Sequence, residues 1–247
     1  MQQPFLPHPR LIRFAVQRLR LSMAGFSPSA SPGIERFGGW SADLGPLGRE
    51  SVIYSFGVGT DIEWELEIIR RTGATVHAFD PTPRSASWMA GQRLPPEFLF
   101  HPVGISDKDG ELMLYPPRRP NNPHFSRDRM KHNRNESDAL RCPVERLRTI
   151  MRRLGHQRLD LLKVDIEGSE FDCIPDVLSS GVEIDQILVE VHYRNPGRSM
   201  RDGVALLSSL RDAGFACTDI SRTACEFSFA HQRILGTASR SARQDAT

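Results

Sequence analysis

The chain has 247 residues, of which 39% are hydrophobic and 25% charged, and its 32 basic and 30 acidic side chains leave a formal net charge of +2. Such a composition is typical of a globular protein and excludes collagen-like, fibrous and wholly disordered classes. Four widely separated cysteines without a CxxC pair argue against a disulfide scaffold or a zinc site and favour a reducing cytoplasm. No apolar run approaches the roughly 20 residues that a membrane span requires.

The first 30 residues carry four arginines and no acidic residue. Positions 10–23 have the spacing of an amphipathic helix, which we expect to pack on its own domain or on a partner, with peripheral membrane contact as the alternative. On one helical face lie Arg10, Arg13, Gln17 and Arg20, and on the opposite face lie Leu11, Ala15, Leu19 and Met23. We therefore divide the chain into a basic helix and linker at 1–36, a main domain at 37–236 and a disordered tail at 237–247.

From residue 51 onward, β-rich segments alternate with segments of helical pattern. The predicted strands are 51–56, 75–80, 97–105, 159–165, 184–192, 215–221 and 226–232, with an extra hairpin strand at 111–115. The predicted helices are 61–71, 82–91, 143–154, 170–179 and 199–212. This alternation predicts an α/β fold with a doubly wound, mostly parallel sheet. The last two strands are too close together for a crossover helix, so they should form a terminal antiparallel hairpin.

A glycine turn follows the first predicted strand, between Phe56 and Asp61. Gly57 and Gly59 let the backbone pass close to a ligand, because neither residue has a Cβ atom. Ile62 stands where the dinucleotide fingerprint G-x-G-x-x-G has its third glycine. This difference disfavours pyrophosphate binding, and with it a nicotinamide-dependent dehydrogenase, and favours a ligand without a phosphate.

Polar residues also follow the second and third predicted strands, at the sheet edge where ligands bind in this fold class. Asp80 lies about 20 residues beyond the glycine turn, the usual position of an acid that accepts hydrogen bonds from ribose hydroxyls. Gly104, Ser106 and Asp107 end the third strand, where the backbone and a small polar side chain could hold an adenine ring. A simple turn is the alternative interpretation of this segment.

The fourth strand carries the most specific motif, which runs from Lys163 to Glu170 and reads KVDIEGSE. The alternation of side chains along a strand brings Lys163 and Asp165 to the same side. We expect Asp165 to face a cationic sulfonium or to accept a proton. Glu167 lies at the entry to the next helix, and for Glu170 we expect only a favourable position at the positive end of that helix.

The fifth strand ends in Glu190-Val191-His192, which places the carboxylate and the imidazole on one face. Histidine titrates near neutrality, so we expect His192 to act as a general base beside Asp165. Asp165, Glu190 and His192 could also hold a divalent cation, although an oxygen-rich group with this loose spacing has low specificity.

These motifs together resemble the FkbM family of S-adenosylmethionine-dependent methyltransferases, over roughly residues 50–232. The resemblance is carried, in the order of the family, by YSFGVGTD, VHAFDPTP, GISDKDGEL, DLLKVDIEGSEFDCI and ILVEVH. It implies a class I methyltransferase (Rossmann-like) sheet, S-adenosyl-L-methionine as cofactor, and O-methylation of a sugar or another natural-product scaffold. Two residues depart from the family pattern: Ser55 replaces an Asp before the glycine turn, and Asp61 replaces a later Gly.

Under this methyltransferase hypothesis, the cofactor contacts come from four strand ends. They are Phe56, Gly57, Gly59, Asp61, Asp80, Gly104, Ser106, Asp107 and Asp165. The catalytic residues are Asp165 and His192 at the methyl-transfer centre, with Glu167, Glu190 and Lys163 behind them.

An Arg-rich insertion at about 116–141 lies outside the shared motifs, and we interpret it as a lid on the substrate side. The alternative hypothesis is a catalytically silent relative that uses this insertion to bind RNA or an acidic partner. Its basic residues are Arg118, Arg119, Arg127, Arg129, Lys131 and Arg134. Phe125 is the one aromatic residue in the insertion, so base stacking has little support and nucleic acid is an improbable partner. We expect a small-molecule or glycan acceptor instead.

Overall fold

The computed structural model describes residues 9–29, 33–116, 125–127 and 139–235, with side chains from residue 13 onward. The predicted tail at 237–247 and most of the Arg-rich insertion lie outside the described residues. Within the described ranges, no helix combines the length and the apolarity needed to cross a bilayer.

The described residues form twelve strands and six helices of seven residues or more, and a short helical segment lies at 232–235. The helices are α1 (Pro9–Met23), α2 (Glu63–Thr72), α3 (Pro83–Met89), α4 (Leu147–Leu154), α5 (Glu170–Ser179) and α6 (Met200–Asp212). The strands are β1 (Ile34–Phe37), β2 (Trp40–Asp43), β3 (Val52–Phe56), β4 (Thr75–Phe79), β5 (Phe98–His101), β6 (Gly104–Ile105), β7 (Gly110–Leu114), β8 (Leu140–Glu145), β9 (Arg158–Val164), β10 (Glu183–Glu190), β11 (Phe215–Ile220) and β12 (Glu226–His231).

A seven-stranded sheet in the order β11-β12-β10-β9-β3-β4-β5 forms the centre of the fold. The pairs from β10 through β9, β3 and β4 to β5 are parallel, whereas β12 runs antiparallel to both of its neighbours. The predicted α/β class is confirmed, with a mostly parallel sheet and a terminal antiparallel hairpin.

Apolar side chains cover both faces of this sheet. Leu162 packs in one buried cluster with Ile174 of α5, while the neighbouring Leu161 packs in a second cluster with Ile68 of α2. All three leucines of β9 are fully buried, and Lys163 is only 5% exposed. Burial on both faces explains why apolar side chains occupy both faces of this strand, as in other central parallel strands.

The third predicted strand is divided in the structure. β5 stays in the large sheet, whereas β6 leaves it and joins a three-stranded sheet in the order β6-β8-β7. Pro102 separates the two pieces and has no backbone N–H to continue the ladder. The hairpin strand predicted at 111–115 corresponds to β7, which pairs antiparallel with β8. The prediction of a helix from 143 was wrong at its start, because residues 140–145 form β8 and α4 begins at Leu147.

A hairpin of β1 and β2, which the sequence did not predict, covers part of the large sheet. Gln186 of β10 accepts a hydrogen bond from the Asp43 N–H at 2.9 Å and donates one to the Asp43 carbonyl at 2.8 Å. The Ser228 hydroxyl of β12 donates to the Ser41 carbonyl at 2.6 Å. These bonds fix the hairpin so that its turn, Gly38-Gly39, stands beside the glycine turn after β3.

The N-terminal helix packs on the domain through the face that carries Gln17 and Leu21. Leu21 is fully buried and Gln17 is 8% exposed, whereas Leu19 and Met23 are exposed. The face with Leu19 and Met23 therefore does not pack on the described part of the domain. The reason is that the Arg18 guanidinium, next to Gln17 on the inner face, donates to the carbonyls at the end of β11.

Candidate functional site

The glycine turn after β3 passes so close to β9 that it requires glycine. A Cβ on Gly57 would lie 1.6 Å from the backbone oxygen of Asp165, and Gly57 has φ 83°, in the left-handed region. The Gly57 N–H donates to the Phe79 carbonyl at 2.8 Å, and the Asp165 N–H donates to the Phe56 carbonyl at 3.1 Å. The ends of β3, β4 and β9 are thus joined directly.

Asp80 fixes the same turn from the end of β4. Its Oδ2 accepts the Gly59 N–H at 3.0 Å, and its Oδ1 accepts the Thr82 N–H at 2.9 Å and the Thr82 hydroxyl at 2.6 Å. Thr82 is also the N-cap of α3 and accepts the Ser85 N–H. A carboxylate has about four lone-pair positions, so Asp80 can accept a further hydrogen bond from a ligand.

Beside these strand ends lies a cavity, here called the main cavity, with an empty volume of about 620 Å³. Its walls come from the carboxyl edge of the large sheet and from the small sheet. They are Phe56, Gly57, Gly59, Asp80, Pro81, Thr82, Gly104, Ile105, Leu112, Leu114, Phe125, Val144, Asp165, Ile166, Glu167 and Ser169.

A second cavity of about 970 Å³ lies on the other side of the glycine turn and shares Gly57, Gly59 and Asp165 with the first. We call it the tryptophan cavity, because Trp40 and Trp64 are among its walls. Gly38, Gly39, Val58, Thr60, Asp61, Glu63, Glu65 and Lys163 complete it. Since the two cavities meet at the glycine turn, an elongated ligand could occupy both.

A buried ion pair forms one wall of the tryptophan cavity. Lys163 Nζ lies 2.9 Å from Glu65 Oε1, and the two side chains are 6% and 1% exposed. The Ser55 hydroxyl donates to the same oxygen at 2.6 Å. The ammonium also lies over the rings of Trp40 and Trp64, at 5.1 and 5.4 Å from their centroids. Such cation–π contacts help to stabilise a desolvated charge.

Glu65 was not predicted as a site residue. The carboxylate that Lys163 requires comes from α2 rather than from position 55, where the FkbM pattern has an acid and this chain has serine. Ser55 and Lys163 are register partners in β3 and β9. Sequence spacing alone could not identify Glu65, because its contact with Lys163 spans 98 positions.

Four carboxylates surround His192 at the ends of β9 and β10, and we call this group the His192 cluster. His192 Nε2 lies 3.3 Å from Glu167 and 3.7 Å from Glu190, and its Nδ1 lies 3.3 Å from Glu170. The Nδ1 contact is an ion pair without the alignment of a hydrogen bond. Asp165 is the fourth acid, and its ligand-capable oxygen lies within 4.8 Å of those of Glu190 and His192.

Glu170 does more than favour a helix terminus. It is fully buried, its Oε1 accepts the backbone N–H of His192 at 2.7 Å, and its Oε2 accepts the backbone N–H of Gly168 at 2.8 Å. It therefore joins the start of α5 to the end of β10. The prediction of a role limited to the helix dipole was incomplete for this reason.

The His192 cluster holds protons at neutral pH. Burial by itself would lower the pKa of His192, but the contact with Glu170, and then the charges of Glu170, Glu167 and Glu190, raise that pKa to about 10. Burial, followed by the charge of Asp165, raises the pKa of Glu190 to about 9. Burial also raises the pKa of Asp165. Asp165 and Glu190 titrate as a pair, and the pair retains one proton at pH 7.

These protonation states bear on two predictions. An imidazole with a pKa of about 10 is an imidazolium at neutral pH, so the general-base role expected for His192 is disfavoured. A metal ligand must offer an unprotonated nitrogen, so a cation at Asp165, Glu190 and His192 would have to displace this proton, and the cation site stays a prediction. The structure instead favours His192 as the positive centre of an acidic group.

The remaining predicted residues divide by position. Phe56, Gly57, Gly59, Asp80, Gly104, Asp165 and Glu167 line the main cavity, and Asp61 and Lys163 line the tryptophan cavity. Ser106 and Asp107 are not among the lining residues of either; the Ser106 hydroxyl donates to Asp107 at 3.0 Å. The adenine contact assigned to these two stays a prediction.

The apolar wall of the main cavity was not predicted from the sequence. Ile105, Leu112, Leu114 and Val144 belong to the small sheet, whose strands were predicted only in part. Phe125 also lines the cavity, and it belongs to the Arg-rich insertion that the sequence placed on the substrate side. The alternation of β7 was visible, but its pairing with β8 across the insertion was not.

The chain is similar to known methyltransferase-like proteins. The family model described as "Methyltransferase FkbM domain" matches residues 55–217. "Probable methyltransferase-like protein 24" of Homo sapiens is 27% identical over 152 residues, which are 60% of this chain and 34% of that protein. "AMB antimetabolite synthetase AmbE" of Pseudomonas aeruginosa is 33% identical over 89 residues, 36% of this chain and 4% of that protein. The chain thus spans about a third of the length of the methyltransferase-like relative.

Two solved structures have a similar but distant arrangement. Aeropyrum pernix fibrillarin with bound S-adenosyl-L-methionine has a TM-score of 0.40 and 8% identity, covering 74% of this chain and 66% of that one. Burkholderia thailandensis 1,6-didemethyltoxoflavin-N1-methyltransferase has a TM-score of 0.35 and 13% identity, covering 90% and 78%. The family match covers well over half of the chain and includes the glycine turn, Asp80 and the KVDIEGSE motif. The chain belongs to the FkbM family of methyltransferases.

Proposed function

We propose that the protein transfers a methyl group from S-adenosyl-L-methionine to a hydroxyl oxygen of a small acceptor, such as a sugar or another natural-product scaffold. The observation that carries this proposal is the convergence of Gly57, Asp80 and Asp165 on one cavity. When bound, the cofactor supplies an electrophilic methyl group on a positively charged sulfur. The protein has to bind both partners, align them and remove the hydroxyl proton.

The main cavity suits the adenosine end of the cofactor. Asp80 has a lone-pair position left for a ribose hydroxyl, and Pro81 and Ile166 offer apolar surfaces in the same cavity. Ile105, Leu114 and Val144 add the apolar wall that a flat ring requires. Among the residues that the structure describes, no lysine or arginine lines the main cavity, which supports a nucleoside without a phosphate.

The tryptophan cavity suits the amino-acid end. Among the residues that the structure describes, Trp64 Nε1 and Glu65 Oε2 are buried polar atoms without a hydrogen-bond partner. Such atoms cost free energy unless a ligand or water satisfies them. A carboxylate could accept from the indole N–H, and an ammonium could donate to the Glu65 oxygen. A zwitterionic amino acid offers both groups.

Asp165 is the residue that we assign to proton removal. Its Oδ1 is buried and has no partner within the described part of the chain, and Asp165 lines both cavities where they meet. The raised pKa of this carboxylate makes it a stronger base than an exposed aspartate. Glu190 shares the proton, and the His192 imidazolium holds the carboxylates in place. In this proposal His192 and Glu167 are positioning residues.

Calorimetric titration with S-adenosylhomocysteine tests the cofactor assignment. We expect saturable binding at one site per chain and no heat from NAD⁺, because the third glycine of the dinucleotide motif is absent. Binding of NAD⁺ but not of S-adenosylhomocysteine would overturn the proposal.

Steeply salt-dependent RNA binding without cofactor binding would favour the silent relative. Once an acceptor is found, an N-methyl product would contradict the choice of oxygen.

A further inference from the structure

The outer face of α1 exposes a continuous apolar stripe. Val16, Leu19 and Met23 are 43%, 60% and 80% exposed, and they make up three of the five large hydrophobic residues that the described part of the chain exposes. Their spacing of three and four residues puts them on one side of the helix. Isolated exposed apolar residues are common, but a stripe on a single helix marks an interaction surface.

The helix is attached firmly, so this stripe has a fixed direction. Leu21 belongs to the hydrophobic core. The Arg18 guanidinium donates to the carbonyls of Ile220 and Ser221 at 3.1 and 2.8 Å. Arg194 donates to Gln17 at 2.7 Å. Because the inner face is satisfied by the domain, rotation of the helix to bury the stripe would break these contacts.

Positive charge flanks the stripe. Arg13 and Arg20 are exposed on one side of it. The first 30 residues of the chain hold four arginines and no acidic residue. Basic side chains beside Leu and Met on one helix are the pattern of segments that lie in the interface of an anionic membrane.

We propose that the outer face of α1, formed by Arg13, Val16, Leu19, Arg20 and Met23, docks on an anionic lipid bilayer. Charge complementarity favours this occupant over the segments of the chain outside the described residues and over a symmetric second copy. Residues 117–138 carry six basic and three acidic side chains, and residues 236–247 carry two basic and one acidic, so both segments are net positive. A symmetric contact with a second copy would bring the arginines of two identical helices together.

The position of α1 gives the contact a consequence for the site. Arg18 binds the carboxyl end of β11, and Arg194 follows His192 by two positions after β10. The helix therefore lies along the same edge of the sheet as the candidate site. Docking through α1 would bring that edge beside the lipid and give it access to acceptors held at a membrane surface.

Vesicle co-sedimentation of the full chain tests this inference. We expect binding to phosphatidylglycerol-containing vesicles, little binding to phosphatidylcholine alone, and weakening by salt. The double variant Leu19→Gln/Met23→Gln should lose about tenfold or more in affinity. Arg13→Gln and Arg20→Gln should each lose about fivefold. Met113→Gln removes an exposed apolar side chain from β7, away from α1, and serves as the control with unchanged binding.

Thermal unfolding and gel filtration of the same variants complete the test. The substituted side chains are exposed, so we expect unchanged unfolding temperatures and a lost vesicle interaction. Failure of the folded wild-type chain to bind anionic vesicles would overturn the inference. So would a wild-type dimer that the Leu19→Gln/Met23→Gln variant dissociates, because a second copy would then be the occupant. Cofactor binding is independent of either result.

Discussion

Lys163 and Glu65 form a buried ion pair, 2.9 Å apart, between the central strand β9 and the first helix that follows the glycine turn. Replacing one partner would leave an uncompensated charge in the core. We expect Lys163→Met and Glu65→Gln each to lower the free energy of unfolding by about 3–5 kcal/mol. The double variant should recover much of that loss, and urea unfolding of all three measures the coupling.

The exposed pair Arg141–Glu111, between β8 and β7, is the matched control for that cycle. Its neutral variants should leave the unfolding midpoint unchanged, since solvent screens an exposed pair. Equal effects of the buried and the exposed pair would contradict the structural role of Lys163.

Gly57 cannot be replaced without displacing the end of β9. We expect Gly57→Ala to lower the free energy of unfolding by about 2 kcal/mol or more and to weaken S-adenosylhomocysteine binding about tenfold, because the Cβ would meet the Asp165 carbonyl. Gly155→Ala is the control, with a similar φ of 78° and no atom within 4 Å of the added Cβ. It should cost only the backbone strain, about 1 kcal/mol. Equal losses of unfolding free energy in both variants would contradict the close approach of Gly57 to the Asp165 carbonyl as the reason for glycine.

Asp80 should affect ligand affinity more than a comparable aspartate elsewhere. Asp80→Ala removes the acceptor of the Gly59 and Thr82 N–H groups, and we expect S-adenosylhomocysteine affinity to fall by about tenfold to a hundredfold. Asp109 also accepts a backbone N–H, from Arg146, and a threonine hydroxyl, from Thr149, but it lies outside the main cavity. Calorimetry should show unchanged affinity for Asp109→Ala. Unchanged affinity for Asp80→Ala would contradict the proposed contact between Asp80 and the ribose.

Loss of the proton of His192 should make the fold less stable in alkali. Its pKa is about 10 in the folded protein and 6.5 as the ordinary value, so its contribution is complete below pH 6.5 and is lost between pH 6.5 and 10. Urea unfolding across this range should show the decline, and His192→Gln should flatten it. A steeper alkaline decline in His192→Gln than in the wild-type chain would contradict the ion-pair cluster.

Protonation of His77 should make the fold less stable in acid. Burial, and then the charges of His156 and His101, lower its pKa to about 4. The folded protein binds the proton less well than the unfolded chain, so stability is lost as the pH falls from 6.5 towards 4. His77→Leu should reduce this acid decline without changing the alkaline one, and His192→Gln should do the reverse. If the decline in acid were unaltered in His77→Leu, it would have to arise from groups other than His77.

Local sequence patterns were sufficient for the central sheet. The apolar runs of β3, β4, β9 and β10 are bounded by turn residues, so their strand ends could be located, and the glycines, Asp80 and Asp165 follow from those ends. The short spacing between β11 and β12 was enough to predict the antiparallel hairpin.

Contacts between distant segments could not be derived in this way. The pairing of β7 with β8 spans the Arg-rich insertion, and the burial of α1 depends on Arg18 reaching the end of β11, 202 positions away. Helical periodicity shows that α1 has two faces, but the face that packs is decided by its neighbours. The protonation of His192 depends on Glu170, whose side chain turns back from α5 towards β10.

A crystal structure of the complex with S-adenosylhomocysteine tests the central claim most directly. The account predicts density for the nucleoside in the main cavity, with its ribose at Asp80, and for the amino-acid end across Gly57 towards Trp64 and Glu65. Density elsewhere on the protein, or a main cavity closed by the side chains of the chain itself in the presence of saturating ligand, would contradict it.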